Sequence, residues 1–386
     1  MQTQRLPVLI FAQSGRFLAQ SATQAGHSVW VADCFGDIDT LAIADRWQQL
    51  PSFNELTPSS ILALLTEITQ GEMCHLICGS GIEHCYHLLE HLPDNIHLLG
   101  NSSSTIQLIK TPSLFFALLA QLQLPYPNTQ FSPPTDDHDW LVKDAKGLGG
   151  SHIQYLQTVQ HSIDSVTEYY YQRRISGLSG SCLFLAGGQQ TCVLSINKQY
   201  LSPTPQTPFR LGGIESPWAI SIAHQKHLEQ AIKKISISAN LIGLNSLDFI
   251  ISEQDELFIL EINPRPSASS ELIADKGFLF QQHIDACSGL LKNPNTSFKQ
   301  TATSLFYHYA QTALCIPEKM LWPIECHDLP SAGIIIKQGE PICISLVICD
   351  ENNIAADLHI AIEQKILRQI DNALLEKQWQ QRHLVE

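Results

Sequence analysis

The sequence has no long hydrophobic run and no surplus of basic residues, and each absence excludes a class of function. Its longest apolar stretch, near residues 114–120, is too short to span a bilayer. The 386 residues carry a formal net charge of −14, which argues against a general nucleic-acid binder and against a binder of anionic membranes. With 44% hydrophobic and 16% charged residues, the composition is that of a globular protein.

The cysteines match neither a disulfide framework nor a common zinc motif. The 11 cysteines lie scattered, many of them in apolar strands, which fits reduced thiols in a cytoplasmic protein. Segment 74–91 is rich in cysteine and histidine but lacks the usual ligand spacings, so we interpret it as a buried strand followed by a helix. The N-terminus leads directly into a strand-like run at residues 8–11, so we predict no signal peptide and a cytoplasmic location.

Strand and helix signals alternate along the N-terminal part of the chain, which predicts a parallel sheet covered by helices. The turn after the first strand, residues 13–16, has a single glycine, whereas a dinucleotide-binding fingerprint needs three. A nicotinamide or flavin cofactor is therefore not expected. From about residue 140 to 260 the pattern changes to strands joined by turns, with one helix near 224–241. Segment 291–300 resembles a linker, and strand signals and a final amphipathic helix at 361–379 follow it.

Two strand-like stretches flank the polar segment 253–256 and carry acids that face each other. If that segment is the loop of a hairpin, Asp248 lies directly opposite Glu261. Asn263 lies on the same face as Glu261, because side chains alternate along a strand. The two carboxylates repel each other, and their apolar neighbours make desolvation costly. The oxygen-only set suits Mg²⁺ or Mn²⁺, and the alternative is a sheet edge whose acids face water. Arg265, two residues beyond Asn263, can bind an anionic group bidentately beside such a metal.

A second candidate site is a glycine-rich turn that follows a strand ending at Lys143. Glycines let the backbone approach a ligand, and successive N–H groups bind anions. The turn lacks the Gly-Lys-Ser/Thr ending of a P-loop, and a simple hairpin turn is the structural alternative. Upstream, Lys110 lies in a predicted helix at 104–122. Downstream, segment 169–181 is a candidate hinge whose backbone can form hydrogen bonds with the edge of an adenine base. The alternative is that its two arginines are simply exposed to solvent.

The order of these elements resembles the ATP-grasp superfamily, which includes biotin carboxylase and D-alanine–D-alanine ligase. The likeness spans about residues 5–350, and its strongest marker is Asp248 followed by Glu261-Ile262-Asn263-Pro264-Arg265. The resemblance implies an α/β and α+β ATP-grasp fold with three parts. These are a Rossmann-like parallel-sheet domain at 1–108, a two-lobed ATP-grasp domain at 109–295 with its lid at about 125–190, and a small β-rich C-terminal portion at 300–386.

The resemblance also implies ATP and Mg²⁺ (or Mn²⁺) as cofactors and assigns roles by position. Lys110 and Lys143 match the lysines that hold the nucleotide phosphates. The metal ligands are matched by Asp248, Glu261 and Asn263. The catalytic residues are matched by Arg265 and Lys143, with Arg210 as a further substrate contact. The phosphate loop and the adenine hinge are matched by Lys146, Gly147, Gly149, Gly150, Ser151, Gln172, Arg173, Arg174 and Ile175.

Some positions depart from the family pattern. The family often has Lys-Pro where this chain has Lys143-Asp144, and a glutamate common in the hinge is Arg173 here. No obvious acid follows Gly177 to hold a ribose. Selectivity for ATP over GTP is therefore left open.

Three functions are compatible with these residues. The first is a carboxylate–amine ligase that forms an acyl phosphate and serves small-molecule or cofactor biosynthesis, with one-carbon cofactors as one candidate. Its partners are small-molecule acids and amines, with neither nucleic acid nor membrane, and a homodimer is a candidate assembly. The amine is expected near the turn at 13–16. The second is a carboxylase that activates bicarbonate. The third is a nucleotide-binding regulatory protein without catalysis. Segment 327–347 resembles the biotin-carboxylase-like branch, whose uncharacterised members are called predicted ATP-dependent carboligases.

Overall fold

The N-terminal part of the chain forms the predicted parallel sheet. The computed structural model describes residues 5–53, 55–135, 139–158, 168–291, 301–349 and 355–383. Five strands pair in the order β3-β2-β1-β4-β5, all in parallel. The central strand β1 is wholly buried because both faces of the sheet are covered. The elements are β1 (Val8–Phe11), α1 (Arg16–Gln24), β2 (Val29–Asp33), α2 (Ile38–Leu41), β3 (Arg46–Gln49), α3 (Pro58–Thr69), β4 (Cys74–Cys78) and β5 (Ile96–Leu98).

Two features of this part differ from the prediction. Strand β3 was not predicted, because it is a polar edge strand that is only partly buried and therefore has no apolar run. The helix predicted after β4 is replaced by two 3₁₀ turns, Ile82–His84 and Tyr86–Glu90. Cys85, between them, has a φ of −139°, which is outside the helical region and ends the first turn.

The helix predicted at 104–122 is two helices, α4 (Ser103–Lys110) and α5 (Pro112–Gln121). Proline disfavours the helical conformation in the residue before it. Thr111 accordingly is extended, with φ −89° and ψ 110°. Lys110 therefore ends α4 instead of lying inside one long helix.

A small antiparallel sheet, which we call the lid sheet, follows α5. Its strands are ordered β6-β9-β7-β8. Lys143, on β7, pairs with Ile153 on β8 and with Tyr170 on β9. The strands are β6 (Thr129–Gln130), β7 (Trp140–Asp144), β8 (Ile153–Tyr155) and β9 (Tyr169–Arg173).

An eight-stranded sheet, ordered β14-β13-β10-β11-β12-β15-β19-β17, forms the rest of the molecule. Helices α5 and α6 bury one of its faces, and α7 packs on the other. The pairing of β12 with β15 makes the C-terminal strands a continuation of this sheet. The elements are β10 (Gly177–Gly187), β11 (Gln190–Leu201), β12 (Leu211–Ser216), α6 (Ile222–Ala239), β13 (Gly243–Ser252), β14 (Leu257–Asn263), α7 (Lys276–Cys287), β15 (Thr303–Tyr309), β16 (Leu314–Cys315), β17 (Cys326–His327), β18 (Ile335–Ile336), β19 (Pro341–Ile348) and α8 (Ala355–His383).

The predicted linker at 291–300 lies outside the described residues except for Leu291. Within the described ranges, no helix is both long enough and apolar enough to cross a membrane.

Candidate active site

The β13–β14 hairpin places the two predicted acids opposite each other. Asp248 pairs with Glu261, as predicted. The predicted register at the turn is nevertheless wrong by one residue, because Leu257 pairs with Ile251. A β-bulge beside Asp248, with Leu260 as the extra residue, returns the acids to register.

The two carboxyl groups of the acid pair have pKa values shifted in opposite directions. Burial and the nearby Glu261 raise the pKa of Asp248 well above its usual range. Desolvation also acts to raise the pKa of Glu261, but Lys110, His152 and a hydrogen bond from Asp248 lower it to about 2. Asp248 is therefore the protonated partner when no cation is present.

The donor atoms around this pair fit a hard divalent cation. Two carboxylates and an amide supply only oxygen ligands, and a cation there relieves the repulsion between the acids. Asn263 Nδ2 lies 3.4 Å from Asp248 Oδ2, and Gln199 Nε2 lies 3.3 Å from Asp248 Oδ1. In the part of the chain that is described, no group of three or more His, Cys, Asp or Glu side chains is arranged to hold a metal. The remaining ligands would have to come from water or a phosphate.

Lys110 contacts the acid pair directly, and Lys143 interacts with it electrostatically. Lys110 Nζ lies 3.4 Å from Glu261 Oε2, and its position at the C-terminus of α4 adds a favourable helix-dipole contact. Lys143 is 7% exposed and donates to Gln172 Oε1 at 2.7 Å. Burial lowers the pKa of Lys143 to about 8, although Glu261 opposes the shift. An anion that entered between these lysines would stabilise the charged form of Lys143.

The glycine loop, residues 146–152, rests against the segment that leads into β12. Gly149 accepts a backbone hydrogen bond from Leu211 at 3.1 Å. A Cβ on Gly150 would lie 2.0 Å from the carbonyl oxygen of Phe209. Gly149 and Gly150 have φ values of +63° and +74°, which are costly for other residues. The loop thus needs glycine both for its backbone conformation and for close approach.

The other loop residues predicted to bind the nucleotide have local roles in the loop. Lys146 is exposed, and its backbone N–H donates to Asp144 Oδ1 at 2.9 Å. Ser151 Oγ donates to the carbonyl of Leu148 at 3.0 Å. A Cβ on Gly147 would lie 2.0 Å from Cβ and Cγ of His152, so this position has no room for a side chain.

Arg210 makes contacts that favour a structural role over the predicted substrate contact. Its guanidinium donates to the carbonyl oxygens of Ser202 at 3.0 Å and Gly339 at 3.1 Å. It also donates to Ser202 Oγ and lies 3.7 Å above the ring of Tyr309. All of its nitrogens are thus used by the protein, and they fasten the segment on which the glycine loop rests.

The candidate hinge, predicted to bind adenine through the backbone of residues 172–175, is partly occupied by contacts within the protein. Gln172 is buried, and its side chain links Lys143 to Thr129 Oγ1. The side chains of Arg173 and Arg174 pack over the rings of Trp140 and Tyr155. The backbone N–H groups of the two arginines donate to the carbonyls of Asn128 and Asp139, the residues just before β6 and β7. Ile175, the next residue, is partly buried. The backbone N–H groups of the two arginines are therefore occupied, which leaves Ile175 as the candidate reader of a base edge.

Glu83 is a site residue that the sequence interpretation missed. Arg265 Nε donates to Glu83 Oε1 at 2.8 Å, and Arg265 Nη2 lies 3.5 Å from Asn263 Oδ1. Glu83 also accepts the backbone N–H of Gly81 at 3.0 Å, and its side chain is 3% exposed. Burial opposes ionisation, but Arg265 and Lys110 lower the pKa of Glu83. Segment 74–91, interpreted as purely structural, therefore supplies the partner of Arg265. The available signal was an acid just beyond the carboxyl end of a parallel strand.

The turn at 13–16, where the amine acceptor is predicted, is joined to the C-terminal part of the chain. Arg16 is fully buried and donates to Asp328 at 2.7 Å and to Glu271 at 2.6 Å. Ser14 Oγ donates to Asp328 at 3.0 Å. These contacts join the turn to Glu271 and Asp328, and the acceptor position stays a prediction.

The lid sheet carries Lys143 and the glycine loop, and the larger antiparallel sheet carries the acid pair. Residues 113–269 match the family model described as an ATP-grasp domain, so this part of the chain is an ATP-grasp domain. The predicted fold class is confirmed. No curated protein matches the chain.

Solved structures with the same fold include biotin carboxylases and N5-carboxyaminoimidazole synthetases. One is the biotin carboxylase domain of 2-oxoglutarate carboxylase from Hydrogenobacter thermophilus, with MgADP, ADP and bicarbonate (13% identity, 90% of this chain and 87% of that chain covered, TM-score 0.70). Another is N5-carboxyaminoimidazole synthetase from Staphylococcus aureus with ADP (17% identity, 93% and 97% covered, TM-score 0.66). A third is the Aspergillus clavatus synthase with ADP and 5-aminoimidazole ribonucleotide (13% identity, 96% and 99% covered, TM-score 0.67). At sequence identities of 13% to 17%, this structural similarity establishes the fold alone.

Proposed function

We propose that this protein is an ATP-dependent, ADP-forming ligase that joins a small-molecule carboxylate to an amine. The observation that carries the proposal is the grouping of Lys110 and Lys143 around Glu261, which pairs with Asp248 across the hairpin. Phosphoryl transfer needs mainly positioning and neutralisation of charge, and this set provides both. We propose ATP and Mg²⁺ as its cofactors, in agreement with the ADP and MgADP complexes of proteins with this fold.

The chain's own groups support a two-step reaction. In the first step, a substrate carboxylate oxygen attacks the terminal phosphorus of ATP, and ADP leaves with Lys110 and Lys143 beside its phosphates. In the second step, the amine attacks the carbonyl carbon of the acyl phosphate, and inorganic phosphate leaves as the C–O bond breaks. Arg265, held by Glu83, is suited to stabilise the negative charge on the carbonyl oxygen during this attack. No side-chain nucleophile is required.

Asp248, Glu261 and Asn263 would hold the Mg²⁺ ion, which neutralises phosphate charge when it is bound. Because burial and nearby Glu261 raise the pKa of Asp248, a cation bound there would compete with a proton for the two carboxyl groups.

A carboxylase is the second candidate, in which bicarbonate is the acid and a nitrogen of a small molecule is the acceptor. It is favoured by the fold, because a neighbour of the same fold was solved with bicarbonate. A nucleotide-binding protein without catalysis is the third candidate, and the complete acid and lysine set argues against it. The division at residues 1–108, 109–295 and 300–386, a cytoplasmic location, a homodimer and a role in one-carbon cofactor synthesis remain proposals.

The direct test is an ADP-release assay with purified protein and MgATP. The panel contains amino acids, pterin and furan precursors, and bicarbonate, each with and without an amine. The ligase proposal expects ADP only when a carboxylate is present, with amide product once an amine is added. ADP released by bicarbonate alone contradicts the ligase and supports the carboxylase. Tight MgATP binding without turnover on any acid supports the non-catalytic protein.

A further inference from the structure

The side chain of Asn101 joins three segments of the chain that are distant from it in sequence. Asn101 lies three residues beyond β5 and is 4% exposed. Its Nδ2 donates to Asn245 Oδ1 at 2.8 Å and to the carbonyl oxygen of Pro264 at 2.9 Å. Its Oδ1 accepts the backbone N–H of Ile242 at 2.9 Å. The buried amide therefore uses both its oxygen and its nitrogen inside the protein, and it holds its partners in one arrangement.

The partners of Asn101 fix the orientation of its amide. Ile242 offers a backbone N–H, so the atom that faces it is the amide oxygen. Asn245 Nδ2 donates to the carbonyls of Ile242 at 3.2 Å and Gly243 at 2.9 Å, so its Oδ1 is the atom that faces Asn101. The carbonyl oxygen of Pro264 can only accept a hydrogen bond. Position 101 therefore needs a donor that serves two acceptors.

Pro264 is the residue at which strand β14 has ended, and Arg265 follows it directly. Ser246 with Asn263 is the last residue pair between β13 and β14, and proline has no N–H with which to continue the pairing. The bond from Asn101 therefore holds the chain just beyond the paired strand. The backbone N–H of Arg265 donates to the carbonyl of Asn263 at 2.9 Å. Both polar groups of the peptide between Pro264 and Arg265 are thus bonded.

Arg265 is consequently held at two points by residues that follow strands of the parallel sheet. Glu83, five residues beyond β4, accepts from the side chain of Arg265 at 2.8 Å. Asn101, three residues beyond β5, binds the carbonyl just before Arg265. Strands β4 and β5 are parallel neighbours, so their carboxyl ends lie at the same edge of the sheet. The cavity lined by Asn101, Pro264 and Arg265 has a volume of about 10 Å³, about what one water molecule needs, so the chain is closely packed here.

We propose that Asn101 is a positioning residue, whose hydrogen bond to the Pro264 carbonyl sets the backbone from which Arg265 extends to the reacting group. The inference rests on the proposed function, because it assumes that Arg265 stabilises the carbonyl oxygen during the attack of the amine. Without this bond, the peptide before Arg265 is free to rotate, and Glu83 alone holds the side chain. Misplacement of a catalytic group by about 1 Å is enough to slow a reaction strongly. Nucleotide binding is assigned to other residues and should be retained.

The test measures kcat and the KM for ATP separately, with the acid and amine that the wild type joins in the ADP-release assay. Isothermal titration calorimetry with the magnesium complex of adenylyl imidodiphosphate measures nucleotide affinity and shows that each variant is folded. For Asn101→Ala we expect kcat to fall about tenfold, and KM and nucleotide affinity to change by less than about twofold. Asn101→Asp keeps the acceptor for Ile242 but lacks the amide donor, so its kcat should fall at least as far.

Thr105→Val is the matched control for the loss of a buried long-range hydrogen bond. Thr105 Oγ1 donates to the carbonyl of Ala239 at 3.0 Å, so it links the same part of the chain to the end of α6 instead of to Pro264. Valine keeps the shape of threonine and removes this bond. We expect its kcat and KM to stay within about twofold of the wild type. A loss of kcat as large as that of Asn101→Ala would show that any such bond matters, and would overturn the inference.

A double-mutant cycle tests whether Asn101 acts through Arg265. Arg265→Lys keeps the charge but loses the planar guanidinium whose placement is at issue. In that background, Asn101→Ala should lower kcat by about twofold or less. A tenfold fall in both backgrounds, equal losses of kcat and nucleotide affinity, or no loss at all overturns the inference. If the wild type joins no acid to an amine, the proposed function fails and this inference fails with it. If the wild type is active and only the variants behave otherwise than stated, this inference alone fails.

Discussion

Asp248 and Glu261 show how far single residues can be predicted from the sequence. The alternation of apolar and polar residues identified both strands and the shared face. The predicted pairing at the turn is off by one residue, and the bulge at Leu260 compensates for it. Bulges have no reliable signal in a single sequence, so the opposition of the two acids was predicted through two errors that cancel.

Glu261→Gln tests the metal assignment at the scale of one residue. The change removes one charge from the pair and keeps the shape, so Mg²⁺-dependent ATP binding should weaken by about tenfold or more and turnover should be lost. Titration of the protein with MgATP measures the first effect and ADP release measures the second. Glu256→Gln, in the exposed turn of the same hairpin, is the matched control. Unchanged activity in Glu261→Gln would refute the metal assignment.

Glu83 could not be assigned from the sequence, because its partner Arg265 is 182 residues away. We expect Glu83→Gln to lower kcat by about tenfold or more through misplacement of Arg265, with little change in the KM for ATP. Steady-state kinetics that determine kcat and the KM for ATP separately measure this effect. Equal loss in kcat and ATP affinity would instead indicate a general loss of structure.

At the scale of elements, the sequence predicted the glycine loop, but it did not predict the segment against which this loop packs. Residues 209–211 are distant in sequence, and nothing in their composition indicates that a loop packs there. Tyr309 Oη donates to the carbonyl of Leu211 at 2.7 Å, and Arg210 adds the contacts to Ser202 and Gly339. The periodicity of hydrophobic residues predicts helices and strands, but it does not predict which distant segment a turn contacts.

Gly150→Ala and Gly149→Ala form a matched pair that tests this contact. Both positions have positive φ, so both variants carry a backbone strain of about 1–2 kcal/mol. Only Gly150 is blocked by a neighbour, since a Cβ on Gly149 meets no atom within 4 Å. We expect Gly150→Ala to raise the KM for ATP at least several-fold more than Gly149→Ala. Equal effects of the two changes would contradict a role for this surface in holding the loop.

The contact between β15, β19 and α8 contains two buried histidines and predicts acid sensitivity. His308 Nε2 lies 2.7 Å from Ser345 Oγ, which also contacts His359, and Ser304 Oγ lies 2.8 Å from His359 Nε2. Burial lowers the pKa of His308 to about 4, and burial with nearby His308 lowers that of His359 to about 4.

The unfolded chain binds these protons near pH 6.5 and the folded chain does not, so stability is full above that pH and falls as pH drops toward 4. Each histidine should cost about 2 kcal/mol of unfolding free energy at pH 5. Urea unfolding at pH 7.5 and pH 5 measures the loss. His308→Gln should show a drop smaller by about 2 kcal/mol than the wild type, and the exposed His91→Gln should not. An identical drop in both variants would contradict the assignment.

At the scale of the whole molecule, the order of elements was the most informative signal. The parallel sheet and the acidic hairpin occur in the predicted order, and residues 113–269 match an ATP-grasp domain. Features that depend on long-range packing were not predictable, namely the polar edge strand β3, the break at Pro112 and the join of β12 to β15. The sequence predicted the pairing of the two acids, but it did not predict the long-range contacts that surround them.

The central claim is that the reaction passes through an acyl phosphate. Its most direct test traces a carboxylate oxygen of the acid substrate into the released phosphate. The acid that supports ADP release is prepared with ¹⁸O in its carboxylate and incubated with MgATP and the amine. Attack of a carboxylate oxygen on the terminal phosphorus predicts one ¹⁸O atom in the inorganic phosphate that is released. Phosphate without ¹⁸O, formed together with the amide, would contradict an acyl phosphate and, with it, the ligase reaction that we propose.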